Sequence, residues 1–331
     1  MVSFSPLGSP QLRSEAVVEA LGSVAGVQDG SRKAIIAAFF ANLGIAIAKF
    51  VGFLLTRSAG LLAEAGHSLA DTGNQGLLMF GGRRAKRPAD HAHPFGYGPE
   101  RYFWSFVVAL VLFSMGGLFA LYEGIHKFSD PHEIKKIWVA YAILVVSIAL
   151  ETYSLTTAAK EANRVRGKRS WWTFIRTSKA PELPVVLLED IGAETGLVVA
   201  LLGLTMADIT GDARWDAAGS ITIGVLLIVI AIILAVEMKG LLIGEAASDE
   251  QLDAIKTALV SHPEVHGIIH LKTMHLGPDE LLVAAKLDVA PEITAAQLAA
   301  VIDETEATVR AAIPVGAMVY IEPDITRSPS A

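Results

Sequence analysis

Six stretches of this chain stay apolar for roughly 20 residues at a time, the length a helix needs to cross a bilayer core. They cover residues 34–55, 59–80, 103–122, 138–158, 185–206 and 217–236. A soluble core does not require such runs repeated so often, and the pattern predicts six transmembrane helices. Beyond Lys239 the period changes. Residues 249–261 place Leu252, Ile255 and Leu259 on one face of an amphipathic helix. Residues 265–275 and 280–289 read as strands around a Leu276-Gly-Pro-Asp279 turn. A helix over 294–312, capped by Thr294, and a strand over 317–321 complete the order α-β-β-α-β. That order suits a small two-layer α+β domain.

Charge changes the picture from membrane protein to oriented membrane protein. The 331 residues hold 27 Lys+Arg against 34 Asp+Glu, a formal −7, with 18% charged and 52% hydrophobic residues. The sum hides a division. Residues 241–331 carry 14 acidic and 5 basic residues, a net of −9, and the first 240 carry 20 acidic and 22 basic, a net of +2. Basic residues crowd the second connection (Arg83, Arg84, Lys86, Arg87, Arg101) and the fourth (Lys160 to Lys179), and are sparse in the others. The positive-inside rule then places both termini in the cytoplasm. The organisation expected is a cytoplasmic arm over 1–31, a six-helix transmembrane domain over 32–240, a cytoplasmic domain over 241–325 and a tail over 326–331. The first ~30 residues lack the charged-then-apolar pattern of a cleaved signal peptide. The acidic balance argues against nucleic-acid binding. Cysteine is absent, which excludes thiolate metal sites, disulfides and a cysteine nucleophile.

Ionisable side chains at bilayer depth are expensive and mark ion or proton paths. In the second span Glu64, His67, Asp71 and Asn74 are spaced 3, 4 and 3, which stacks them on one helix face. In the fifth, Asp190 and Glu194 share a face, and Glu189 sits beside Asp190. Brought together, these helices offer an imidazole and several carboxylates, a donor set for Zn²⁺ or a similar divalent metal. Lys49 in the first span reads as snorkelling or paired with a carboxylate. Glu151 in the fourth has no role that spacing alone assigns.

Ala59-Gly-Leu-Leu-Ala-Glu-Ala-Gly-His67-Ser-Leu-Ala-Asp71 and Arg87-Pro-Ala-Asp-His-Ala-His93-Pro-Phe-Gly-Tyr-Gly98 resemble the cation diffusion facilitator family of metal transporters. The likeness continues through Asp216-Ala-Ala-Gly-Ser-Ile-Thr-Ile-Gly224 and Leu242-Ile-Gly-Glu-Ala246, and the Glu189–Asp190 pair resembles the branch that includes the human zinc transporter nine. The resemblance implies six helices, a ferredoxin-like C-terminal domain, a homodimer, and metal/proton antiport by alternating access. It also implies a transport site built from His67, Asp71 and Asp190. The family's remaining position falls on Val186, which cannot ligate; Glu189 is the expected substitute, and the alternatives are a water or a site of three protein ligands. A second family site in the loop falls on Asp90 and His93, with His91 beside them and Tyr97 where some members have a third ligand. The alternative for that loop is a purely structural turn. In the tail, two family ligand positions fall on Ile269 and Lys286 and a third on Ile321, so His262, His266, His270 and His275 read as ordinary strand and loop histidines.

The function expected is efflux of a divalent cation, zinc first, in exchange for protons, with no prosthetic group. An unperturbed imidazole titrates near pH ~6.5, which suits His67 to trade a proton for metal. The alternatives are transport of Mn²⁺, Fe²⁺ or Co²⁺, a passive channel, and a non-transporting metal sensor. An enzyme is disfavoured, since no His-Glu-x-x-His or nucleophile–base motif is present. A prokaryotic cell membrane is the expected location.

Overall fold

A computed structural model describes residues 42–326. The expected arm, the start of the first span and residues 327–331 lie outside the described residues. Helices α1 (Asn42–Thr56) and α2 (Ala59–Arg84) are followed by a long rod. The rod consists of α3 (Glu100–Val111), a π-helical segment (Leu112–Leu118) and α4 (Phe119–Ser129). Then come α5 (Ile137–Arg166), the short α6 (Trp171–Thr177), α7 (Glu182–Thr210) and α8 (Arg214–Ile243). Among the described residues, the rod, α5 and α8 are long and apolar enough to cross a membrane. Helices α2 and α7, of 26 and 29 residues, are also long enough, but Glu64, Asp71, Glu189, Asp190 and Glu194 interrupt their apolar character. Val145, Val146, Leu202, Val229, Ile232 and Val236 point outward, as lipid-facing side chains do.

Small residues bring these helices close. A Cβ on Gly224 of α8 would stand 2.6 Å from the Leu121 amide of α4, and one on Gly124 would stand 2.7 Å from the Ile221 amide. In a membrane, where tails are as apolar as side chains, such close backbone approach is a main source of helix association. Helix α2 is fastened at its start by a residue from α8. Ser58 is the N-cap, its Oγ donates to Asp216 Oδ1 at 2.7 Å, and the Ala59 amide donates to Asp216 Oδ2 at 2.5 Å. The buried Asp216 thus satisfies amides that the first turn of any helix leaves without partners. Sequence hydropathy started the sixth span just after this acid.

The C-terminal part runs α9 (Asp249–Leu259), β1 (Val265–Gly277), β2 (Glu280–Val289), α10 (Ala295–Ala312) and β3 (Gly316–Asp324), in the order expected. Both helices open on capping boxes, Ser248 with Gln251 and Thr294 with Gln297. The sheet order is β1-β2-β3, with β2 antiparallel to β1 and parallel to β3. A parallel pair needs a crossover, which α10 supplies. Along β2 every second residue is buried, and Leu281, Val283 and Leu287 pack with Ile255, Leu259 and Val309 from the helices.

The two parts touch. Gly98, at the end of the α2–α3 loop, lies against the backbone of Leu276 and Gly277 at the β1–β2 turn, where a side chain at 98 would collide. Arg101 bonds Glu182 at 2.5 Å and Asp279 at 2.7 Å, and Lys179 pairs with Glu245. The two lysine- and arginine-rich connections therefore lie on the side of the C-terminal domain. The α1–α2, α4–α5 and α7–α8 connections gather at the other end, where the Lys135 amide donates to Thr56 O at 2.7 Å.

Candidate metal site

His67 and Asp71 lie one turn apart on α2, with Nε2 3.5 Å from Asp71 Oδ2. His67 is fully buried, and neither ring nitrogen finds a hydrogen-bond partner among the described residues; nor does Asp71 Oδ1. Opposite, α7 presents Glu189 and Asp190. Between the helices is a cavity of about 20 Å³, bordered by Ser68, Asp71, Glu151, Val186, Glu189 and Asp190. That space admits one water-sized occupant. Asn74 Nδ2 donates to Glu189 Oε1 at 2.6 Å, and Ser154 Oγ of α5 donates to Asp190 Oδ2 at 3.1 Å. Val186 contributes only methyl groups to the wall. Among the described residues no three His, Asp or Glu side chains are drawn into the tight geometry of a formed metal centre. The carboxylates stand around the cavity; His67, 3.5 Å from Asp71, does not border it.

Beside the cavity lies a second polar group. Lys49 Nζ is fully buried, 3.1 Å from Glu64 Oε2, 2.8 Å from Ser68 Oγ and 3.8 Å from Glu151 Oε1. Lys49 is thus paired, not snorkelling. Glu194 faces α5 instead, accepting from Thr152 at 3.0 Å, and does not border the cavity. Across from His67 the rod is π-helical, and a Cβ on Gly116 would lie 3.8 Å from His67 Nδ1. Such single π turns recur at functional positions.

The loop residues are arranged differently. Asp90 accepts from the amides of Ala92 at 3.0 Å and His93 at 2.8 Å, and from the Tyr97 hydroxyl at 2.8 Å. The Tyr97 bond, then the His93 amide, hold the Asp90 carboxyl below the ordinary carboxylate range. His93 Nδ1 is 3.6 Å from Asp90 and its ring packs on Tyr97, whereas His91 is exposed. In the tail the histidines do not converge. His262 faces Glu304 at 3.5 Å, His266 and His270 are exposed, and His275 is buried with its Nδ1 3.4 Å from Gly277 O.

Spacing along each helix identified the faces of α2 and α7. It could not pair Asn74 with Glu189, Ser154 with Asp190, or Lys49 with Glu64, because those contacts join different helices. Ser154 three residues beyond Glu151 was the available sign that this face of α5 is polar.

Comparison with known proteins bears on the whole arrangement. A family model described as the cation efflux transmembrane domain matches residues 35–243, and one described as the cation efflux protein cytoplasmic domain matches residues 247–324. The chain is 31% identical over 284 residues to the mouse "Proton-coupled zinc antiporter SLC30A9, mitochondrial", covering 85% of this chain and 49% of that protein. It is 28% identical over 260 residues to "Metal tolerance protein C4" of Arabidopsis thaliana, covering 78% of this chain and 57% of that one. It is 29% identical over 246 residues to "Magnetosome protein MamB" of Magnetospira sp. (strain QH-2), covering 73% and 78%. The chain thus spans about half the length of the mouse antiporter.

Proposed function

The chain belongs to the cation efflux family, and from that premise we propose that it carries a divalent metal cation, zinc foremost, across a membrane in exchange for protons. It is an integral, multi-pass membrane protein with a cytoplasmic C-terminal domain, and a transporter rather than an enzyme. One observation supports the reading above the others. Helices α2 and α7 deliver Asp71, Glu189 and Asp190 to a single small cavity, with His67 3.5 Å from Asp71. One imidazole with carboxylates suits Zn²⁺ and its neighbours.

In this reading His67, Asp71 and Asp190 are three of the donors and a further carboxylate completes the set. Glu189, the residue expected for that place, has one oxygen held by Asn74. Donors must be deprotonated to coordinate, so metal entry expels protons and protons arriving from the far side expel metal. Rocking of the helices alternates the side that has access. Helices α1, α2, the rod, α5, α7 and α8 each cross the bilayer, and the basic connections face the cytoplasm. Residues 32–240 transport, and residues 241–325 join two copies into a homodimer. Metal held by Asp90, His91 and His93 would compete for Asp90 with the Tyr97 hydroxyl on one oxygen and two amides on the other, so this loop is the weaker candidate. The membrane we favour is that of a prokaryotic cell.

Proteoliposomes test this with Zn²⁺, Mn²⁺, Fe²⁺ and Co²⁺, with and without a pH gradient. Zinc uptake should drive proton counterflow in the wild type and vanish in Asp71→Ala and Asp190→Ala, while both variants elute as the same species as the wild type. Undiminished transport by either variant would falsify the site. Flux that ignores the pH gradient would make the protein a channel or uniporter.

A further inference from the structure

Glu151 is an acid at bilayer depth on α5, a helix outside the α2–α7 pair. Its side chain is 13% exposed and borders the same small cavity as Asp71 and Asp190. Its face of α5 is the face turned toward the acids of α7. Ser154, three residues on, donates to Asp190 Oδ2 at 3.1 Å, and Thr152 donates to Glu194 Oε1 at 3.0 Å.

The two carboxylates able to supply the missing donor differ in how far they are committed. Glu189 is 5% exposed and receives the 2.6 Å bond from Asn74. Glu151 accepts no hydrogen bond among the described residues, and its one ion pair there is the 3.8 Å approach of Lys49. Lys49 is itself held more closely by Glu64 and Ser68, at 3.1 and 2.8 Å. A buried carboxylate left this loosely satisfied is poor for stability and good for capturing a cation. Val186, which also borders the cavity, offers no donor that would compete.

We propose that Glu151 is a direct ligand of the transported metal, so that the cation is held by three helices, α2, α5 and α7, rather than two. The inference rests on the transport-site reading above. With His67, Asp71 and Asp190 it makes a set of one nitrogen and three oxygen donors. Lys49 remains with Glu64 when Glu151 turns to the metal. Such an oxygen-rich set discriminates less against Mn²⁺ and Co²⁺ than a histidine-rich one.

The experiment compares initial rates of Zn²⁺ uptake by the full chain in proteoliposomes, together with zinc titration of the detergent-solubilised protein. Glu151→Gln should raise the zinc KM and weaken zinc binding by about 10-fold or more, the least expected when a metal site loses a partner. Glu189→Gln should change both less. Adding Val186→His to Glu151→Gln should recover zinc binding, which loss of a purely structural carboxylate would not allow. Glu151→Asp keeps the charge near Lys49 but withdraws the oxygen by one methylene. It should weaken binding too, and it carries the test if the Gln variant does not fold. Wild-type KM and binding in Glu151→Gln or Glu151→Asp, with Asp71→Ala dead, would overturn the α5 ligand and leave the transport site standing. Activity in Asp71→Ala and Asp190→Ala would remove the transport site itself.

Discussion

A lysine and a glutamate, both without exposed surface, sit one beside the other at the centre of the membrane domain. Removing one partner of such a pair strands the other, at a cost of about 3–5 kcal/mol, whereas replacing both by apolar residues is often near neutral. Lys49→Met should therefore lower thermal stability in detergent sharply, and Lys49→Met with Glu64→Leu should regain most of it. Equal melting of the single and double variants would contradict the pairing. Tyr97 and Asp90 give a gentler case outside the membrane. Tyr97→Phe removes the foremost cause of the low Asp90 pKa, so a carboxyl-carbon NMR titration should find Asp90 titrating higher. Because the folded pKa is depressed, this contribution to stability is present above the unfolded carboxylate value. It fades as pH falls through the folded one. Part of this residue scale was legible, since the 3-4-3 spacing put Glu64, His67, Asp71 and Asn74 on one face of α2, the face the structure turns inward. What was hidden lies between helices, where Lys49 and Glu64 are 15 positions apart and Asn74 and Glu189 are 115.

Helices are where hydropathy reads best, and all the expected spans coincide with helices over the described residues. Their ends did not follow from hydropathy. Helix α8 begins at Arg214, early enough to include the buried Asp216, because a cap across to α2 compensates for an acid that apolarity would reject. The π-helical Leu112–Leu118 segment and the seven-residue α6 left no sign in the pattern, since the first lies in a run too uniformly apolar to show a change of phase and the second is about two turns long. The glycines of the α4–α8 contact were visible as residues but not as a contact. Gly224→Val should destabilise the membrane domain by about 1–3 kcal/mol or more through overpacking. Gly44→Ala, with nothing within 4 Å of its new methyl, should be neutral or slightly stabilising. Thermal unfolding of the two side by side checks the contrast, and a tolerant Gly224 would mean that the helices sit further apart.

For the molecule as a whole, the sequence divided the charge between a basic-leaning membrane part and an acidic cytoplasmic part, and the α-β-β-α-β order of the latter is what the structure has. The seam between them was not readable. It depends on Gly98 meeting Gly277 across 179 positions of chain and on Arg101 reaching Asp279. Gly98→Val should force the loop off the β1–β2 turn and raise hydrogen exchange at Leu276 and Gly277. Unchanged exchange there would argue that this contact does not hold the parts together. The Arg101–Asp279 pair should matter less. With Asp279 88% exposed, a double-mutant cycle should return a coupling below about 1 kcal/mol.

The clasp between Ser58, Ala59 and Asp216 also has a history in time. Its partners are 158 and 157 positions apart, so the ribosome makes the second helix long before the acid that supplements its Ser58 cap. At about 5–20 residues per second, the interval is on the order of 10–30 s. Throughout it, the helix bearing His67 and Asp71 has its own Ser58 cap on the Leu61 amide but not the carboxylate that takes the Ala59 amide. A nascent chain stalled before Asp216 should have every residue of α2 and its Ser58 cap, yet lack the acid from α8 that completes the first turn.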